Sequence, residues 1–169
     1  ATQNPIELEG TYRLPAPQLD RFPFNITGDH PTIAEEITIL DRHNIGVFSA
    51  NVGTKPVLSA EKLDWLRKAV EKVLAEQHLL EYIAQIVAAT RQSPWITLGA
   101  SPRASLAILN ASKALAAIRG RDFITPDDIK EMAVPVLRHR VLLTPEKEMD
   151  GTSTDTIICQ LIDKTEVPR

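Results

Sequence analysis

Three polar side chains in this 169-residue sequence could meet a phosphate. They are Asn4 in Gln3-Asn4-Pro5, Arg21 in Gln18-Leu19-Asp20-Arg21-Phe22, and Arg103 in Ser101-Pro102-Arg103-Ala104. An amide such as Asn4 can orient a water or touch a phosphate, yet Asn-Pro is equally a turn-forming dipeptide. Arg21 lies between Leu19 and Phe22. It is either a solvated cation or a guanidinium delivered to a partner's phosphate, where phosphoryl transfer builds charge. Arg103 falls in the first turn of a predicted helix, where a cation opposes the helix dipole by a few tenths of a kcal/mol or more. A salt bridge to a nearby carboxylate would offset that. A helix N-terminus with free backbone donors and a guanidinium is also an anion site. Local sequence leaves both readings open at all three positions.

Other catalytic machinery is missing from the sequence. No Gly is followed by Lys, so there is no phosphate-cradling P-loop, and no Asp is followed by Glu. No paired-Cys motif and no G-x-S-x-G elbow occurs. His30, His43, His78 and His139 fall in separate segments without metal-ligand spacing, so no metal site is expected. Cys159 cannot pair within the chain; it sits in the apolar run TIICQLI and reads as a packed thiol rather than a reactive one. A net charge of −3 gives no support to a general nucleic-acid or membrane-surface binder. No apolar stretch approaches the roughly 18 residues of a membrane span. The composition points to a soluble intracellular chain.

The elements that must carry these residues follow from punctuation and periodicity. Prolines at 5, 15, 17, 23 and 31 forbid a long helix or a central strand before residue 32. Thr32-Ile33-Ala34-Glu35 is a capping box that opens a helix to about Asn44. Ser59 caps a second helix with Leu63, Leu66, Ala69/Val70 and Val73 on one face, and a break is expected around 75–77. HLLEYIAQIVAATR aligns Leu79, Ile83, Ile86/Val87 and Thr90 in a third, followed by a loop over 92–99. Ser101-Pro102 opens a fourth helix, with Leu106, Leu109, Lys113/Ala114 and Ala117 as its expected packing face. Thr125-Pro126-Asp127-Asp128 opens a fifth, which should end near Arg140. A short sixth over 153–163 completes an all-α bundle of five to six helices with almost no strand. Arg138-His139-Arg140 and Arg119 with Arg121 are the only support for nucleic-acid binding, and solvated helix ends account for both.

ATQNPIELEGTY, LP, QLDRF, LGASPRASLAILNASKALAAIRGRDFITPDDIK and VLRHR, in that order, resemble the MoxR family of AAA+ ATPases. The resemblance runs from residue 1 to about 145 and is weak only over 44–77 and the tail. It implies that 1–31 is the end of an α/β ATPase core and 32–169 the α-helical lid domain with a C-terminal tail. The Walker A and Walker B segments would then lie upstream, and the missing P-loop would be a matter of where the chain begins. The resemblance makes Asn4 the sensor 1 residue, Arg21 the arginine finger acting in trans, and Arg103 the nucleotide-binding sensor 2 arginine. It implies ATP and Mg in the intact protein, with neither bound tightly by this chain alone. It further implies a cytoplasmic ring, a hexamer, acting like a chaperone on von Willebrand factor A domain proteins, with no nucleic acid and no membrane. Two departures bear on Arg21: the family's LPEAQLDRF is Leu14-Pro15-Ala16-Pro17-Gln18-Leu19-Asp20-Arg21-Phe22 here, and Pro23 follows. A helical interaction module without ATP chemistry is the alternative.

Overall fold

The computed structural model describes residues 2, 14–28, 30–46 and 55–168. Asn4 lies outside them. Eight helices and two short strands are seen among the described residues: α1 (Ala16–Leu19), α2 (Ile33–Asn44), α3 (Ala60–Glu71), α4 (Gln77–Gln92), β1 (Ile96–Leu98), α5 (Pro102–Ile118), α6 (Pro126–Leu137), β2 (Leu142–Leu143), α7 (Pro145–Met149) and α8 (Thr154–Lys164). Six of the helices are longer than ten residues, as an all-α bundle requires. The chain divides into two compact units, residues 26–69 and the remainder.

The larger unit holds the core. Helices α4, α5, α6 and α8 pack on one another. Leu79, Tyr82, Ile83, Ile86, Val87 and Thr90 of α4 are buried on the face that helical spacing selects. Ile129, Ala133, Val136 and Leu137 of α6 and Ile157, Ile158 and Ile162 of α8 close the interior. Cys159 is exposed, so its expectation as a packed thiol is corrected: it follows Ile158 on a helix whose apolar stripe has already turned away from it.

Helix α5 buries a different face from the one expected. Ala104, Ile108, Ala111, Ser112 and Ala116 face the core, whereas Leu106 is 62% exposed. The helix carries apolar residues nearly all round, so periodicity alone could not phase it. Small residues do line the buried side, and α6 packs there.

The expected loop over 92–99 contains β1, which pairs antiparallel with β2 (Ile96 opposite Leu143, Leu98 opposite Leu142) with an irregular register between. Three residues opposite two are too few to announce a strand by alternation. Helix α6 ends at Leu137, not near Arg140; Pro135 lies within its last turn, and residues 138–140 leave the helix with their side chains directed elsewhere.

In the 26–69 unit, α2 has the expected capping box: Glu35 N donates to Thr32 Oγ1 at 3.4 Å and Thr32 N to Glu35 Oε2 at 2.8 Å. Neither α2 nor α3 buries a residue, and Leu63 and Leu66 are exposed. No helix among the described residues is long and apolar enough to cross a membrane.

Tyr82 is fully buried, but its hydroxyl has no partner among the described residues, and burial pushes its phenol above the usual value. Tyr82→Phe removes the unsatisfied oxygen without opening a void. It is expected to leave stability unchanged or raise it by up to about 1 kcal/mol in a denaturant titration. A loss of that size would reveal a hydrogen bond to the hydroxyl.

Candidate anion-facing site

The site forms where the α1 turn meets the N-terminus of α5. Pro15 caps α1, and Pro17 falls at its first positions, where a missing N–H leaves no helical bond unmade. Pro17 is therefore accommodated, and Arg21 N still closes the turn on Gln18 O at 3.2 Å. Asp20 and Arg21 then point to different tasks. The Asp20 carboxylate is mostly buried and accepts from Arg140 Nε at 3.0 Å and from Ser101 Oγ at 2.9 Å. Arg21 is exposed and makes no side-chain hydrogen bond or ion pair among the described residues.

The α5 end is built with equal economy. Ser101 accepts from Arg103 N at 3.2 Å while donating to Asp20. Ala104 N bonds Ser101 O at 2.9 Å, Pro102 has no N–H, and Ala100 N is taken by Thr90 Oγ1 at 3.0 Å. The N–H groups of Ala100, Arg103 and Ala104 are thus already engaged, and the attraction falls chiefly to the Arg103 side chain. That side chain is 60% exposed and lies 3.7 Å from Asp20 Oδ2. An ion pair so long and so wet is worth between nothing and about 1 kcal/mol, so a phosphate could displace it at little cost.

Gly99 fixes the approach of this turn to α4. A Cβ there would sit 2.7 Å from Arg91 Cα and 2.8 Å from Arg91 N, both backbone atoms that cannot swing aside. Gly99→Ala is expected to cost about 1–3 kcal/mol in a chemical melt, as overpacking does. An unchanged midpoint would contradict the close approach.

Arg21 and Arg103 border one open groove of about 970 Å³, with Asp20, Phe24 and Arg140 beside them. Its apolar wall is the outward face of α5, including Leu106 and Ile118. Two cations at the mouth of an apolar groove can hold a polyanion and bring charge to bear on it.

The largest residue missed by sequence reasoning is Arg140. Arg138-His139-Arg140 reads as a solvated helix end, but the Arg140 side chain is 3% exposed. It donates to Asp20 Oδ1, to the carbonyls of Asp20 (3.0 Å), Phe22 (2.6 Å) and Pro23 (3.1 Å), and to Val136 O. His139 Nε2 adds a bond to Phe22 O at 3.0 Å; burial holds its imidazole below the ordinary value although that bond opposes the shift. Arg138 Nη2 pairs with Asp155 at 2.7 Å, and its Nη1 reaches Asn25 O at 3.3 Å. Arg119 and Arg121 are likewise engaged with Asp128 and Glu131. Each of these five basic residues thus has a carboxylate or carbonyl partner within the chain, although the Arg119 and Arg121 guanidiniums stay partly open to solvent. Three basic residues just past a predicted helix, with a proline-rich arm upstream, were the available signal.

Residues 88–161 match the AAA lid domain family. Across 99% of its length the chain is 40% identical to YeaC of Bacillus subtilis, covering 52% of that protein. It is 37% identical to chaperone MoxR1 of Mycobacterium tuberculosis over 100% of this chain and 46% of that one. The chain thus spans about half the length of the curated relatives it matches. A candidate ATPase of Cytophaga hutchinsonii, known from its crystal structure, superposes with a TM-score of 0.85 at 32% identity, over 99% of this chain and 53% of that one. The lid match, the likeness across the whole chain and the shared fold show that the chain belongs to the MoxR family of AAA+ ATPases, of which it carries the helical lid.

Proposed function

We propose that this chain is the finger-and-lid part of an ATP-hydrolysing AAA+ machine. The observation that carries the reading is the pair of exposed guanidinium groups, Arg21 and Arg103, on one groove, with Arg21 left unpaired while its neighbour Asp20 is anchored. The arrangement fits a nucleoside triphosphate: the bound nucleotide with its Mg supplies the phosphoryl chemistry, and the two arginines meet its phosphate oxygens. Arg21 reaches the nucleotide of an adjoining subunit, and Arg103, tied to the same turn through Asp20, serves the same phosphates. Asn4 is proposed as the residue that polarises the attacking water. By itself the chain binds ATP weakly and does not hydrolyse it.

The larger role proposed is remodelling of partner proteins by a ring, in keeping with the chaperone name of the mycobacterial relative. Proteins with von Willebrand factor A domains are the proposed clients. A protein-interaction module without ATP chemistry is the second reading, favoured by exposed Leu106 and Ile118 on α5. ATP turnover by the full gene product, measured with and without Arg21 and Arg103, separates the two. No turnover in the unaltered protein would favour the interaction module.

A further inference from the structure

We infer that Arg140 is a positioning residue for Arg21, holding the turn that presents it; this rests on the proposed ATPase reading. A buried guanidinium is expensive unless its donors are satisfied, and all three nitrogens of Arg140 have oxygen partners. Four of the five oxygens belong to residues 20, 22 and 23, the turn that carries Arg21. The fifth is Val136 O, on α6. One planar fork thus fixes the residues on both sides of Arg21 against the bundle and leaves the Arg21 side chain free to reach outward. No other side chain grips that turn at so many points among the described residues. A lysine at 140 keeps the charge but has only three donors on one nitrogen, so it cannot span carbonyls on both sides of position 21.

The test uses the full gene product and a double-mutant cycle. Arg140→Lys is expected to lower kcat for ATP by about tenfold or more, because a misplacement near 1 Å can cost roughly a hundredfold. KM for ATP is expected to stay within about twofold, since the lost interaction is made in the transition state. On an Arg21→Ala background the same substitution should cost less than about twofold further, because it acts through Arg21. A merely structural role would cost as much on either background, and that result overturns the inference, as does full turnover in Arg140→Lys. If Arg140→Lys does not fold, Asp20→Asn, which weakens the charge contact to Arg140 and also the pair with Arg103, enters the same cycle on an Arg103→Ala background, with the same two outcomes deciding. Should Arg21→Ala itself leave turnover intact, the ATPase reading fails along with the inference. A loss in Arg21→Ala combined with additive Arg140→Lys sinks the inference only.

Discussion

Arg21→Ala in the full gene product is expected to cut ATP turnover by about 10³-fold or more, the range for removing an arginine that stabilises phosphoryl-transfer charge. The lid should melt at an unchanged temperature, because Arg21 is exposed and makes no side-chain bond among the described residues. That combination separates chemistry from folding. Arg103→Ala is expected to follow with a loss of about 10²-fold, the scale of one oxyanion-type donor, and again with little change in stability. Its only ion pair among the described residues is the 3.7 Å approach to Asp20. Steady-state turnover and thermal melts on both variants check the assignment, and unchanged turnover in both would remove it.

The second large effect is on stability. Asp128 is fully buried at the start of α6 and receives five hydrogen bonds: from Arg119 Nη1 at 3.0 Å, Arg121 Nη2 at 2.6 Å, Arg121 Nη1 at 2.7 Å, Thr125 N at 2.8 Å and Thr125 Oγ1 at 2.9 Å. It joins the end of α5 to the start of α6, the most extensively packed pair of helices in the fold. Asp128→Ala removes the shared carboxylate of two guanidiniums and half of a capping box, leaving Arg119 with Glu131 and Arg121 with Phe123 O. The expected loss is about 3 kcal/mol, at the low end of the range for a broken buried pair, because both arginines still reach solvent. Arg119→Ala, by contrast, should lower stability much less, since its guanidinium is 42% exposed.

Asp128 also sets a pH dependence. Burial pushes its carboxyl up, but the Arg121 hydrogen bonds, the Thr125 backbone and hydroxyl, and the Arg121 charge outweigh that. The pKa falls from 3.8 to about 2. A carboxylate with a depressed folded-state pKa stabilises the fold fully above its unfolded value. That contribution, about 2 kcal/mol here, is lost as pH falls from 3.8 through about 2. Denaturant titrations across that window should show a loss in the unaltered chain and a smaller one in Asp128→Ala. Equal slopes would mean that other carboxylates govern acid unfolding.

Local signals made much of this fold legible. Capping residues Thr32, Ser101 and Thr125 placed three helix starts, because a hydroxyl that bonds an orphan N–H leaves its mark within four residues. The α4 stripe was readable because its opposite face is polar. Helix α5 was not phased correctly, since alanines and leucines surround it. What sequence could not show was any contact formed across the chain. Asp20 meets Arg140 across a sequence separation of 120, and neither residue type forecasts the other. Sequence places Asp128 in the first turn of α6, where it sits, but its two arginines lie in the preceding turn and bend back to it. Residue type and position single out Arg21 and Arg103, and the family's motifs supply their roles; their shared groove is a product of the packing.

A structure of the full gene product with a non-hydrolysable ATP analogue tests the central claim most directly. The account predicts Arg21 and Arg103 guanidinium nitrogens within about 3 Å of phosphate oxygens on one nucleotide, with Arg103 drawn off Asp20 and Arg140 still gripping the Arg21 turn. Both side chains lying distant from every bound phosphate would contradict it.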